Sequence, residues 1–228
     1  MMPMILYGKQ IFFYIAKNYP ELIEEVYLAK DVDKKTFSII SKLNKKIIKL
    51  DTMKAQSMAR GGNHQGFLLK TTFIEFAEVA DLKKEDFLLV LVGITDVGNI
   101  GAIIRSAYAF GVDGVIVSGV SSLAFEGVVR SSSGCALAMP IAIFKDTATL
   151  VNELKQIGFK TYAADMSGED VREVSTVAKK ALFLGSEGTG IPNRILNMCD
   201  QKLKIVMERD FDSLNVSAAA AILCDRMR

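Results

Sequence analysis

A chain of 228 residues, half of them hydrophobic and 24% charged, with four prolines and no low-complexity tract, is long enough to bury one sizeable core or a core plus a small second domain. Its three cysteines, Cys135, Cys199 and Cys224, are odd in number and widely spaced. That excludes a disulfide framework and a cysteine metal site, and it fits a cytoplasmic location. The net charge of +2 divides unevenly: residues 1–80 carry 12 Lys/Arg against 8 Asp/Glu, and residues 81–228 carry 16 against 18. A basic first part suits the steering of a polyanion such as RNA, or simply a solvated lysine face.

Taken from the N-terminus, the apolar spacing predicts a helix over 8–18, a strand over 25–29, a helix over 34–43, a strand over 47–50 and a helix over 52–59. The short apolar run at 11–16 has no cleavage pattern after it, so no export signal is expected, and no run approaches the roughly 20 residues of a membrane span. Gly61 and Gly62 break the helical pattern, and His64-Gln65-Gly66 leads into an extended run over 67–72 that closes the sheet of a small α/β module. His64, the one histidine, reads as a turn residue. The polar stretch 75–86 is expected to be a linker, which sets domains at 1–74 and 87–228.

Beyond the linker, strands of buried type at 87–93, 114–117 and 181–184 alternate with helices at 100–110, 147–157 and 192–198. This is the pattern of a mostly parallel sheet covered on both faces, an α/β fold whose ligands sit at the carboxyl ends of its strands. The first strand-end loop reads Asp96-Val97-Gly98-Asn99-Ile100-Gly101 and runs into a helix carrying Arg105. Its spacing is not the dinucleotide fingerprint, and no acidic residue ends the next strand at Ser118, which disfavours a nicotinamide site. The second loop reads Gly185-Ser186-Glu187-Gly188-Thr189-Gly190-Ile191-Pro192. A third follows a strand at 202–205 and ends in Asp212-Ser213-Leu214-Asn215-Val216-Ser217 before an alanine-rich helix at 218–224. Helix caps account for Asp212 and for one of the later polar residues, and a Ser-x-Asn pair exceeds what capping needs.

In order, spacing and strand-loop-helix context, these three loops resemble the three motifs of the SpoU (TrmH-like) branch of the SPOUT methyltransferases. The residues that carry the likeness are Asn99, Gly101 and Arg105, then Gly185, Glu187, Gly188 and Gly190, then Ser213, Asn215 and Ser217. The module before them is similar to the ribosomal-protein-like substrate-binding domain that precedes such enzymes. The resemblance implies a deep trefoil knot in the last third of the chain, and a homodimer that buries Val216, Ile222 and Leu223 of the C-terminal helix. It implies S-adenosylmethionine as methyl donor without a metal, held through Leu184, Gly185, Gly188, Gly190, Ile205, Leu214 and Asn215. The implied reaction is methylation of a ribose 2′-OH in structured RNA, a guanosine of 23S rRNA, free or in an assembling large subunit. A tRNA guanosine target, a resistance-type rRNA enzyme and a non-catalytic RNA-binding protein are the alternatives.

Arg105 is implied as the central catalytic residue, either clamping the target's phosphate or acting as base. A guanidinium that keeps its proton above about pH 12 suits the clamp. Asn99, Glu187, Ser213 and Asn215 would orient it, the ribose and the cofactor, and Glu187 is also a possible salt-bridge partner for Arg105. Arg130 falls in another family-like stretch near the RNA face. The chain departs from the family pattern at Val97, Val206 and Arg209, which bears on the shape of the cofactor loop.

Overall fold

The computed structural model describes residues 3–209 and 213–228, and the chain divides into two compact units, Met1–Glu75 and Phe76–Arg228. Asp212 lies outside the described residues.

In the first unit four strands, β1 (Met4–Tyr7), β2 (Ile23–Leu28), β3 (Lys46–Lys49) and β4 (Phe67–Thr71), form a sheet in the order β1-β4-β2-β3. β4 is antiparallel to both of its neighbours, and β3 runs parallel to β2 at the edge. Three helices accompany the sheet: α1 (Lys9–Asn18), α2 (Lys34–Ser41) and α3 (Thr52–Met58). Aspartates start the last two, Asp33 accepting from Thr36 N–H and Asp51 from Lys54 N–H. β1 escaped the sequence reading because four residues are too few to show a period. The glycines after α3 have a structural cause. A Cβ on Gly62 would meet the Tyr7 hydroxyl at 2.0 Å, and His64 Nδ1 accepts the Gly66 N–H at 3.1 Å, closing the turn into β4.

The second unit is built on six strands: β5 (Phe87–Val92), β6 (Gly114–Ser118), β7 (Ile141–Phe144), β8 (Lys160–Asp170), β9 (Lys180–Gly185) and β10 (Gln201–Lys204). Every pairing is parallel, in the order β10-β8-β9-β5-β6-β7. β5 is buried along its whole length, as a central strand covered on both faces must be. Its alternate residues serve two cores. Leu88, Val90 and Val92 join Ile116, Ala181 and Phe183 in a cluster with α4 (Val79–Leu82), α7 (Thr147–Gln156) and α8 (Asn193–Leu196). α6 (Phe125–Ser131) and α9 (Val216–Met227) each pack on α5 (Val97–Ala109).

The stretch read as a linker packs on this unit. Ala77 N–H donates to Ile141 O, and Leu82 is buried in the core. Two strands absent from the sequence reading, β7 and β8, complete the sheet. The register of β10 on β8 jumps from Lys202↔Ala163 to Leu203↔Glu169, so the intervening residues of β8 bulge out of the sheet. The bulge is tight: a Cβ on Gly168 would lie 2.5 Å from Leu203 N.

Candidate active site

The three strand-end loops converge on the Glu187 carboxylate. Asn99 Nδ2 donates to its Oε1 at 3.4 Å and Val216 N–H donates to the same oxygen at 3.2 Å. Asn215 Nδ2 also donates to it, and to Asn99 Oδ1 at 3.1 Å. Each loop thus supplies one side chain to a closed triangle, Asn99 from the first, Glu187 from the second and Asn215 from the third.

Local structure fixes each corner. Asp96 caps α5, its carboxylate accepting the Asn99 N–H at 2.7 Å, so the asparagine stands in the helix's first turn. Asn215 caps α9, its Oδ1 accepting the Ser217 N–H at 2.9 Å. Glu187 sits in a turn closed by Gly190 N–H to Ser186 O at 2.9 Å, with the Ser186 and Thr189 hydroxyls paired at 2.7 Å. The negative carboxylate at the N-terminus of α9 is favoured by the exposed N–H groups and the helix dipole.

The glycines of the motifs do different work. A Cβ on Gly101 would meet Ser131 Oγ at 2.0 Å and the Ser131 carbonyl carbon at 2.7 Å, so this glycine lets α6 close on α5. Ser131 Oγ then donates to Val97 O at 2.6 Å, tying the two helices at the site. A Cβ on Gly185 would strike the Gly190 carbonyl carbon at 2.1 Å, because the loop folds back on itself there. Gly190 takes φ +63°, and Gly188 has open space around it.

Beside the triangle, the bulge of β8 faces the end of β10 and the start of α9 around a cavity of about 140 Å³. Its walls are mainly apolar, with Leu203, Ile205, Met207, Leu214 and Leu223 prominent, and Ser213 is also in the lining. Asp165 is the one carboxylate in the lining. Ser167, donating from both its hydroxyl and its N–H, holds the Asp165 carboxyl below the ordinary carboxylate range. Of the residues expected at the cofactor, the cavity brings together Ile205 and Leu214; Leu184, Gly185, Gly188, Gly190 and Asn215 stand outside its lining. The bulge residues Ala164, Asp165 and Met166 went unread because β8 did. Gly158 after the helix, followed by Phe159-Lys160-Thr161-Tyr162-Ala163-Ala164, was the available signal for a strand.

Arg105 lies six residues beyond Asn99, which turns it about 120° around the helix from that side chain. It is exposed, and among the described residues it has no ion pair or hydrogen bond, with Glu187 or otherwise. Arg130 is on α6. No group of three or more His, Cys, Asp or Glu suited to a metal occurs among the described residues. Cys224, buried on α9, has its thiol pushed up to about 12 by burial, which marks it as an inert core residue.

Comparison with known proteins adds to this geometry. Residues 86–225 match the model of the SpoU rRNA Methylase family, and residues 5–77 match that of the RNA 2′-O ribose methyltransferase substrate binding domain. An uncharacterized tRNA/rRNA methyltransferase of Archaeoglobus fulgidus is 37% identical over 156 residues, 68% of this chain and 69% of that protein. A 23S rRNA (guanosine-2′-O-)-methyltransferase of Haemophilus ducreyi is 30% identical over 95% of this chain and 94% of its own. Among solved structures, the AdoMet-bound rRNA methyltransferase of Sinorhizobium meliloti superposes with a TM-score of 0.79 at 21% identity, over 99% of this chain and 87% of that one.

Proposed function

The chain belongs to the SpoU rRNA methylase family, and from that premise we propose that it methylates a ribose 2′-OH of 23S rRNA, at a guanosine, using S-adenosylmethionine. The observation that carries the reading is the single hydrogen-bonded triangle of Asn99, Glu187 and Asn215 beside an apolar cavity. A guanosine in 23S rRNA is the target named for the Haemophilus relative, which is similar over nearly the whole chain. In this reading residues 1–74 bind the RNA, naked or in an assembling large subunit, and residues 87–228 carry out the transfer.

The residues present fit the cofactor. A cavity of about 140 Å³ with mainly apolar walls suits adenine, and Ile205 and Leu214 line it. Leu184, Gly185, Gly188 and Gly190 would complete the site along the second loop, where glycines allow close backbone approach. Bound S-adenosylmethionine supplies a methyl group on a cationic sulfonium, and the transfer calls for no metal.

A ribose hydroxyl is a poor acid, so placement in line with the methyl dominates the chemistry. Glu187 acts as a positioning residue: its Oε1 fixes Asn99 and Asn215 and secures the start of α9. Ser213 and Asn215 then hold the sugar beside the cavity. Arg105 clamps a phosphate of the target nucleotide, since its planar guanidinium offers paired donors and has no protein partner to compete among the described residues.

The return of the chain from the edge strand β10 to α9, which packs on α5, supports reading the last third as the trefoil knot. Val216 and Leu223 face inward, whereas Ile222 is 36% exposed, which supports a homodimer through the outer face of α9. No helix among the described residues is long and apolar enough to cross a membrane.

Transfer of labelled methyl from S-adenosylmethionine into separated 23S rRNA, 16S rRNA and tRNA tests the reading. Label in 23S rRNA that disappears with Arg105→Ala is expected. Label confined to tRNA keeps the chemistry and overturns the target. Absence of label from naked RNA and from precursor particles overturns the enzyme reading.

A further inference from the structure

The strand order sets out three stations along the carboxyl edge of the parallel sheet. The apolar cavity lies at β10 and β8, and the Asn99-Glu187-Asn215 triangle joins the loops after β5 and β9 to the start of α9. One strand further on, the loops after β5 and β6 enclose a second cavity of about 360 Å³, lined by Ile94, Thr95, Gly119, Val120, Ser121, Ser122, Leu123 and Ala124.

This second cavity is neutral and rich in donors. Thr95, Ser121 and Ser122 bring hydroxyls. The backbone N–H groups of Ile94, Thr95, Val120, Ser121 and Ser122 have no protein acceptor among the described residues. Each loop leaves the sheet at a glycine with positive φ: Gly93 N–H donates to Ser118 O at 2.9 Å and Gly119 N–H to Phe144 O at 3.0 Å. No Lys, Arg, Asp or Glu lines the cavity. A phosphate site of this size would be expected to draw a cation, whereas the acceptor edge of a nucleobase needs only neutral donors.

From these features we infer that the cavity bounded by Thr95 and Ser121 receives the base of the target nucleotide. The inference rests on the proposed 2′-O transfer. Adjacent strands are about 4.8 Å apart, so the apolar cavity is roughly 10 Å to one side of the triangle and the neutral cavity roughly 5 Å to the other. The base is attached to the carbon next to the one bearing the reacting hydroxyl. With the 2′-OH at the triangle and the cofactor's adenosine on one side, the base is left the other side, within one sugar's reach of the neutral cavity. For guanine the acceptors O6 and N7 face the hydroxyls and unpaired N–H groups of the two loops.

The test fills the cavity without touching the triangle. Ser121→Phe and, separately, Thr95→Val are compared with wild type for methyl transfer into a 23S rRNA transcript, for S-adenosylmethionine affinity by calorimetry, and for total RNA affinity by filter binding. Ser121→Phe is expected to lower kcat/KM on the order of a hundredfold through misplacement of the reacting sugar, with both affinities within about threefold of wild type. Thr95→Val is expected to cost about tenfold. With wild type, a synthetic hairpin carrying 7-deazaguanosine at the methylated position is expected to react about tenfold more slowly than its guanosine counterpart. Unchanged kinetics in both variants overturns the inference, and so does a parallel loss of cofactor affinity, which would make the loop scaffold. If wild type labels no RNA, the proposed function itself fails and the inference falls with it.

Discussion

At the amino end of the parallel sheet, polar groups are consumed by their neighbours. Phe87 N–H donates to Asp113 Oδ2 at 2.8 Å, Asp113 N–H returns to Phe87 O at 2.9 Å, and Lys180 N–H donates to Asp86 O at 2.7 Å. The Lys180 ammonium lies 4.7 Å from the Phe87 ring centre and donates to Val177 O at 3.2 Å. At the carboxyl end, among the described residues, the Arg105 side chain on the helix that follows β5 is unpaired and the N–H groups of residues 120–122, in the loop after β6, have no protein acceptors. Identical strands are therefore closed off at one end and left chemically open at the other. An open polar group is tolerable there because water satisfies it until a ligand does.

That contrast predicts that activity and stability separate between the two ends. The largest effect is expected from Arg105→Ala. Methyl transfer should fall about 10² to 10³-fold, the scale for losing one charged stabiliser of a transition state, with the thermal midpoint unmoved because the side chain has no partner among the described residues. A clear drop in midpoint would mean that the arginine is structural and that the contrast fails at its most exposed point. Glu187→Ala comes next and should affect both properties. Freeing Asn99 and Asn215 and uncapping the start of α9 is expected to lower transfer by about tenfold or more and stability by about 1 kcal/mol. The two losses are read from initial rates and urea midpoints on the same preparation.

Asp113→Ala inverts the pattern. It leaves the Phe87 N–H at the start of a buried strand without its acceptor and should cost about 2 kcal/mol of stability. The specific activity of the folded fraction should equal that of wild type. A loss of activity beyond the loss of folded protein would show that the amino end communicates with the site.

The sequence exposed the carboxyl end far better than the amino end. Asn99, Glu187 and Asn215 stand in short, glycine-punctuated loops after apolar strands, and that arrangement is legible in one dimension. Asp113 and Lys180 look like ordinary surface charges flanking strands, since nothing local announces that they meet Phe87. The β8 bulge was hidden for a related reason. Its polar sequence, Asp165-Met166-Ser167-Gly168-Glu169-Asp170, reads as a loop, and only pairing with β10 makes the end of it a strand. The stretch 75–86 misled in the opposite direction. Its charges suggested a linker, but one well-placed Leu82 beneath Gly114, where a Cβ would meet Leu82 Cδ2 at 2.5 Å, commits it to the core.

Lys180 offers the smallest effect and the sharpest sign. It is only 8% exposed, and burial holds its ammonium below the ordinary lysine range despite the opposing pull of Asp113 and Asp86. A lysine with a lowered folded pKa binds fewer protons in the native chain than in the unfolded one across the interval between the two values. Stability from this group therefore rises with pH through that interval and is least below it. Lys180→Met removes the titration along with the hydrogen bonds to Val177 O and Ala178 O. Relief of the buried charge opposes the lost bonds, so the net change at neutral pH should stay within about 1 kcal/mol. Urea midpoints taken from about pH 8 to about pH 11 should then rise less steeply in the variant than in wild type. Parallel curves would mean that the ammonium is as well solvated in the fold as in the unfolded chain, and the amino end would be less completely closed than its hydrogen bonds imply.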